Sequence, residues 1–216
     1  SDVIVGIDFG RSPSAVFCQN LSLGRWTVFA EYVTQDMGAQ RFAEGLKREI
    51  ARNKWDKLTY RFIGDPAGNQ MAQTNETTPF MILRAAGIKA YPANTNDTSV
   101  RIESVEAVIN RLVDGKPGML ISPICTNLIS GFEGGYNYKR MVYMGSEKYD
   151  EKPNKNRFSH VHDALQYAML GGGEGRRVLS GNQPIKSPTT VERASNPFQR
   201  LKSRNRMSRF DRLGVR

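Results

Sequence analysis

Cysteine is scarce in this chain: Cys18 and Cys125 are the only two in 216 residues. They have neither metal-ligand spacing nor the number a disulfide framework needs, so packed thiols in a reducing compartment are expected. No apolar run approaches the roughly 20 residues required to span a bilayer, and no signal peptide is evident. A soluble protein with no membrane partner is therefore expected. Acids are too few to balance the bases, and 21 Asp and Glu against 31 Lys and Arg leave a net charge of +10. Self-repulsion of that size is a cost to a compact chain unless a polyanion is near, and nucleic acid is the first candidate. Internal repeats are missing as well, which leaves one folded domain with an appendage.

What the sequence does contain is a regular α/β alternation. Residues 3–9, 14–20 and 26–32 read as three short strands of an antiparallel meander, separated by Gly, Pro and Ser. Helical spacing follows from Gly38, with Phe42, Leu46, Ile50 and Trp55 on one face. Residues 60–64 form another strand, 78–86 a helix, 87–91 a strand, 100–113 an amphipathic helix and 119–121 a strand. The order is β-β-β-α-β-α-β-α-β. Beyond it, 126–132 reads as a short helix and 136–143 as a strand, with Tyr136, Tyr138 and Tyr143 as a stripe on one face of a hairpin. A polar loop over 147–157 then leads to a helix with Ser159 as N-cap and Asp163 in its first turns. The glycine triplet 171–173 closes the domain, so the boundaries are 1–171 and 172–216.

Asp8, Asp65 and Asp163 each stand at the end or start of an apolar element with no cation beside them in sequence. Asp8 and Asp65 both follow strands and precede glycine-containing turns, which puts them at the same end of the sheet if the two strands pair. Each acid alone also suits a plain role: Asp8 and Asp65 as turn residues, Asp163 near a helix start. Gathered together, the carboxylates would repel one another and gain raised pKa values unless a divalent cation neutralised them, and hard oxygen ligands suit Mg²⁺ or Mn²⁺.

At these residues the sequence resembles the RNase H-like (retroviral integrase) superfamily. Within it, Ile63-Gly64-Asp65-Pro66-Ala67-Gly68, Gly134-Gly135-Tyr136-Asn137-Tyr138 and Ser159-His160-Val161-His162-Asp163-Ala164-Leu165-Gln166-Tyr167 resemble the C-terminal nuclease domain of the large terminase subunit of tailed double-stranded DNA phages. The resemblance covers residues 3–170. It implies an α/β, RNase H-like fold with a central mixed β-sheet flanked by helices, plus a β-hairpin and a basic C-terminal tail.

The activity it implies is that of a metal-dependent endodeoxyribonuclease cutting concatemeric viral DNA during genome packaging. Two Mg²⁺ or Mn²⁺ ions about 3.5–4 Å apart would be bridged by Asp8 and held by Asp65 and Asp163. His160, one helical turn before Asp163, would face the same site, with His162 turned away. A fourth ligand is unassigned among Asp36, Glu76 and Asp97. Arg11, Lys139, Arg140, Lys155 and Arg157 are candidate contacts to double-stranded DNA. The implied partners are the small terminase subunit and the portal protein, with the enzyme oligomeric on the portal and monomeric as an isolated domain. The implied location is the cytoplasm of the infected bacterial host, transiently docked on the procapsid.

The motor's Gly-x-x-x-x-Gly-Lys-Ser/Thr loop does not occur, and the abrupt Ser1-Asp2 start suggests an excised domain lacking the ATPase motor. Two alternatives stay open. Gly6-Ile7-Asp8-Phe9-Gly10 also matches the first phosphate loop of actin- and Hsp70-like nucleotide-binding domains, and junction resolvases share the RNase H-like class. After the triplet, bases outnumber acids and regular periodicity stops, as in a flexible arm that binds phosphates or docks on the packaging machine.

Overall fold

A computed structural model describes residues 2–69, 77–143 and 146–180 of the chain. The chain divides after residue 183, and all described residues belong to the first unit. The meander is β1 (Val3–Asp8), β2 (Ser14–Asn20) and β3 (Trp26–Val33), followed by α1 (Ala39–Arg52), β4 (Tyr60–Gly64), α2 (Pro79–Ala85), β5 (Ala90–Pro92) and α3 (Thr98–Ile109). Then come a short hairpin of β6 (Leu112–Val113) and β7 (Lys116–Pro117), strand β8 (Met119–Ile121), α4 (Thr126–Ser130), β9 (Tyr138–Tyr143), β10 (Ser146–Pro153), α5 (Ser159–Gly171) and α6 (Glu174–Leu179). Six strands form one mixed sheet in the order β5-β4-β1-β2-β3-β8. Strand β1 runs antiparallel to β2 and parallel to β4, and β4–β5 and β3–β8 are also parallel.

Every residue of β1 is buried because helices cover both faces of the strand. Val3, Val5 and Ile7 face a cluster with Phe42, Leu46, Phe80 and Leu83 from α1 and α2. Ile4, one residue out of phase, faces Leu165, Ala168 and Met169 of α5. The two-residue side-chain period of a strand thus supplies both layers of the core. Gly6 shares the α5 face, and a Cβ there would fall 1.9 Å from the backbone oxygen of Ala164. Only a residue without a side chain lets helix and strand approach so closely. The two cysteines are packed thiols in the α5-side cluster, as expected.

Several sequence expectations are corrected here. The helix expected to run to residue 113 ends at Ile109, and Asp114 and Gly115, with φ of 50° and 71°, turn the β6–β7 hairpin. Trp55 lies past the end of α1, after Lys54 with φ 58°, and packs its ring 5.5 Å from Phe17 and 5.2 Å from Phe29. The expected polar loop over 147–157 is largely strand β10, antiparallel to β9. Strand β10 is outside the central sheet, and no one-sided apolar alternation marks it in the sequence. Tyr136 precedes β9, behind a wide helical turn over Gly131–Gly135, and the side chain of Tyr143 lies outside the described residues. Ser159 is the first helical residue and Phe158 the N-cap, with the Ser159 hydroxyl donating to the Asn156 carbonyl at 2.7 Å.

Regular structure does not stop at the glycine triplet, where the sequence boundary of 171/172 was drawn. Helix α6 follows it, and its Glu174 is 1% exposed. The carboxylate accepts from Trp26 Nε1 at 2.9 Å and from Arg111 Nη2 at 2.7 Å, with Arg177 Nη1 at 3.3 Å. Trp26 and Arg111 lie 148 and 63 residues from Glu174 in the chain, so these two contacts leave no local signal. The basic tail over 181–216 lies outside the described residues. No helix among the described residues is long and apolar enough to cross a membrane.

Burial alone would raise the Glu174 pKa, but its hydrogen bonds from Arg111 and Trp26 and the charges of Arg111 and Arg177 bring it below the ordinary 4.5. Its stabilising contribution is therefore complete above about pH 4.5 and is lost as pH falls through the folded-state value. Glu174→Gln should cost about 3 kcal/mol in denaturant unfolding at neutral pH, because two guanidinium groups lose their counter-charge. The gap between variant and parent should narrow on acidification below about pH 4.5, and a gap that stays constant would show that the carboxylate charge is not what anchors α6.

Candidate active site

The parallel pairing of β1 with β4 brings two carboxylates to one end of the sheet. Ile7 stands opposite Gly64, and the Asp65 amide donates to the Ile7 carbonyl at 3.0 Å, so Asp8 and Asp65 leave their strands side by side. Asp65 then turns the chain, its Oδ1 accepting from the Ala67 amide at 2.9 Å at the start of a short 3₁₀ turn. Asp163 enters from α5, which lies across β1 at Gly6. Asp8 is 6% exposed and Asp163 2%. Burial raises the Asp8 pKa, a hydrogen bond from His160 opposes the shift, and the nearby Asp163 charge adds to it.

The partners of these acids are cations and donors of the protein itself, none of them adjacent in sequence. His160 Nδ1 lies 2.7 Å from Asp8 Oδ2, and this hydrogen bond raises the imidazole's own pKa. Asp163 is held on both sides: Arg101 Nη2 donates to Oδ1 at 2.7 Å and Lys155 Nζ to Oδ2 at 2.6 Å. The two cations differ in kind. The Arg101 side chain is 8% exposed, whereas that of Lys155 is 73% exposed. Arg101 also donates from Nε to Gln166 Oε1 at 2.9 Å and from Nη1 to Asn96 Oδ1 at 2.7 Å and Tyr167 Oη at 2.6 Å. Its planar fork therefore engages Asp163, Gln166 and Tyr167, one face of α5 at spacings of three and four residues.

His162 points elsewhere. It lies buried between Tyr136, stacked at 4.6 Å, and the edge of Phe132, with Nε2 3.2 Å from the Leu128 carbonyl oxygen. Burial pushes its pKa down to about 4, so the ring is neutral and packs as an aromatic. Of the other sequence candidates, Arg11 is exposed and pairs with Asp36 at 2.6 Å, and Asp97 caps α3 through the amides of Ser99 and Val100. Arg157 lies over the Phe158 ring at 4.5 Å, and Lys139 is exposed on β9. Glu76 and the Arg140 side chain lie outside the described residues. Arg101, Asn96, Gln166 and Tyr167 are the residues sequence reasoning missed. Arg101 lies within a helix read only as amphipathic, where an arginine reads as solvent-facing.

Among the described residues, no three His, Cys, Asp or Glu side chains form a ready-made metal cage. The donor chemistry nonetheless suits a hard divalent cation. Crowded, desolvated carboxylates favour a cation among them, and an ammonium already lies 2.6 Å from Asp163 Oδ2. A metal ligated by that oxygen requires Lys155 to move, which an exposed lysine stem can do, while buried Arg101 can stay on Oδ1.

No protein-family model matches the chain, and no curated protein matches it in sequence. Solved structures do match in fold. The nuclease domain of the large terminase (g2p) of bacteriophage SPP1, with bound Mn, superposes with a TM-score of 0.51 at 18% identity, covering 80% of this chain and 87% of that one. The P22 large terminase nuclease domain gives 0.55 at 14% identity, with 79% and 81% covered. The large terminase nuclease of thermophilic phage G20c gives 0.50 at 13%, with 77% and 80% covered. The chain thus has the RNase H-like fold of large terminase nuclease domains.

Gly10 keeps the Asp8–His160 contact open, since a Cβ there would lie 2.7 Å from His160 Cε1 and 3.0 Å from Nδ1. Gly10→Ala should push the ring off Asp8, and the His160 pKa, followed by imidazole NMR, should fall back toward the ordinary 6.5. An unchanged titration would show that the ring is held by something other than the Asp8 carboxylate.

Proposed function

We propose that this chain is the nuclease part of a large terminase subunit, a divalent-metal-dependent endonuclease that cuts concatemeric viral double-stranded DNA during packaging. The observation that supports the reading is the exit of Asp8 and Asp65 from paired strands at one sheet end, with the charge of Asp163 acting on Asp8, on the fold shared with terminase nucleases. The bound Mn of the SPP1 domain supports a divalent metal as the cofactor; in this reading Asp8, Asp65 and Asp163 would hold two Mn²⁺ or Mg²⁺ ions. Bound there, the ions supply Lewis-acid activation of water and charge stabilisation at the leaving 3′-oxygen.

The chain's own groups divide the remaining work. His160 holds the Asp8 carboxylate through Nδ1 and has Nε2 to exchange a proton with solvent or substrate. Arg101 fixes the orientation of Asp163 through Oδ1. Lys155, once displaced from Oδ2, becomes a cation at the mouth of the site, suited to a backbone phosphate. Arg11, Lys139 and Arg157, all exposed, are the further DNA contacts of this reading, with Arg140 a candidate from the sequence alone. The small terminase subunit and the portal are the partners of this reading, and the host cytoplasm, at the procapsid, is its place.

Asp8→Asn, Asp65→Asn and Asp163→Asn should each lower Mn²⁺-dependent plasmid cleavage by at least about 100-fold. The structure separates their effects on stability. Asp8→Asn removes a desolvated charge and should hold or raise the apo melting temperature, whereas Asp163→Asn leaves Arg101 buried against an amide and should lower it. Mn²⁺ should raise the melting temperature of the parent but not of the variants. Wild-type cutting by two of the three variants would refute the site, and ATP turnover by the purified chain would favour the nucleotide-binding alternative.

A further inference from the structure

Beside Asp163 lies a polar cavity of about 240 Å³, lined in part by Asn96, Thr98, Arg101, Lys152 and Lys155. Three elements make it: the start of α3, the end of β10 and the start of α5. Three cations face one carboxylate there, and the charge of Asp163 already matches Arg101, so Lys152 and Lys155 leave the cavity positive. Asn96 gives its carbonyl oxygen to Arg101 and Tyr167 at 2.7 and 2.8 Å, which turns its amide N–H₂, a donor, to the other side. Thr98, half-buried, adds a hydroxyl. The lining is thus rich in donors and cations, the complement of an anion with several acceptor oxygens.

The ribbon is shaped to deliver Lys152. Tyr149 stands opposite Arg140 and Pro153 opposite Tyr138, so residues 150–152 face the single Lys139. Such a bulge breaks the regular alternation and re-aims side chains. Lys152 lies inside it, next to Pro153, which also lines the cavity.

We infer that this cavity is a phosphate subsite. It takes a backbone phosphate of the DNA strand next to the one at the carboxylates, with Lys152 and the Asn96 and Thr98 side chains as its ligands. The inference rests on the proposed nuclease reading and assigns its substrate a second anchor point. A phosphate held there orients the strand across Asp163 without reading bases, so the contact is independent of sequence.

The test is a binding titration of the full chain with a fluorescent oligonucleotide in EDTA, across a range of salt concentrations. Lys152→Ala should weaken binding about three- to tenfold at low salt and reduce the slope of log K against log[salt] by about 0.7 to 0.9, the loss of one phosphate contact. Thr98→Val should weaken binding about threefold and leave the slope unchanged, because it removes a hydroxyl and no charge. Lys116→Ala carries the same charge change on the β6–β7 hairpin, next to the opposite sheet edge, and should match the parent. A Lys152→Ala slope no different from that of Lys116→Ala would overturn the subsite, as would parental binding by Thr98→Val. Stabilisation by inorganic phosphate that Lys152→Ala abolishes, with DNA binding unchanged, would overturn the strand as its ligand. The assay contains no divalent metal and reads no cleavage. Its outcome is therefore separate from that of the Asp→Asn variants, which test the nuclease reading itself.

Discussion

The near-contact of α5 with β1 at Gly6 is the constraint on which the rest of this molecule depends. A Cβ at that position would lie 1.9 Å from the Ala164 oxygen and 2.6 Å from the Ala168 amide. Because strand and helix touch backbone to backbone, residues 161–170 of α5 are all buried and Asp163 is carried to the strand end where Asp8 emerges. Widening that gap would part the two carboxylates as well as loosen the α5-side core. Packing and site geometry are therefore the same feature seen at two levels.

Bringing acids together in a dry place requires compensation. Asp163 has a buried guanidinium on one oxygen and an exposed ammonium on the other, and Asp8 has an imidazole. Buried ion pairs contribute little net stability, since desolvation offsets attraction, but their geometry is specific. Arg101 illustrates this: three of its hydrogen bonds hold α3 to one face of α5, and one of the three orients Asp163. The arrangement gives each of these two carboxylates a counter-charge or a donor, and one of the cations, Lys155, is exposed. A third buried acid, Glu174, ties α6 to Trp26 and Arg111 beyond the far end of α5.

The β9–β10 ribbon obeys a different rule. It stands apart from the central sheet, its side chains are largely polar and charged, and it contributes Lys152 and Pro153 to the cavity beside Asp163. The irregular register near Lys152 is the local departure that turns such a ribbon toward a neighbouring site.

Much of the scaffold was legible in the sequence because its signals are local. A dense β-branched run marked β1, short apolar stretches set off by Gly, Pro and Ser marked β2 and β4, apolar spacing marked α1 and α5, and the three acids stood out against them. The β6–β7 turn at Asp114-Gly115, the polar strand β10 and the continuation into α6 were not read, since the first is very short and the others carry no one-sided apolar period. The sequence by itself determined the strand order along the chain and which carboxylates lie at strand ends. Only the tertiary structure decided what faces them. Arg101 lies 62 residues from Asp163, and His160 lies 152 from Asp8. Partners that far apart meet through helix packing and strand pairing, and no local pattern along a chain encodes a contact that the fold alone creates.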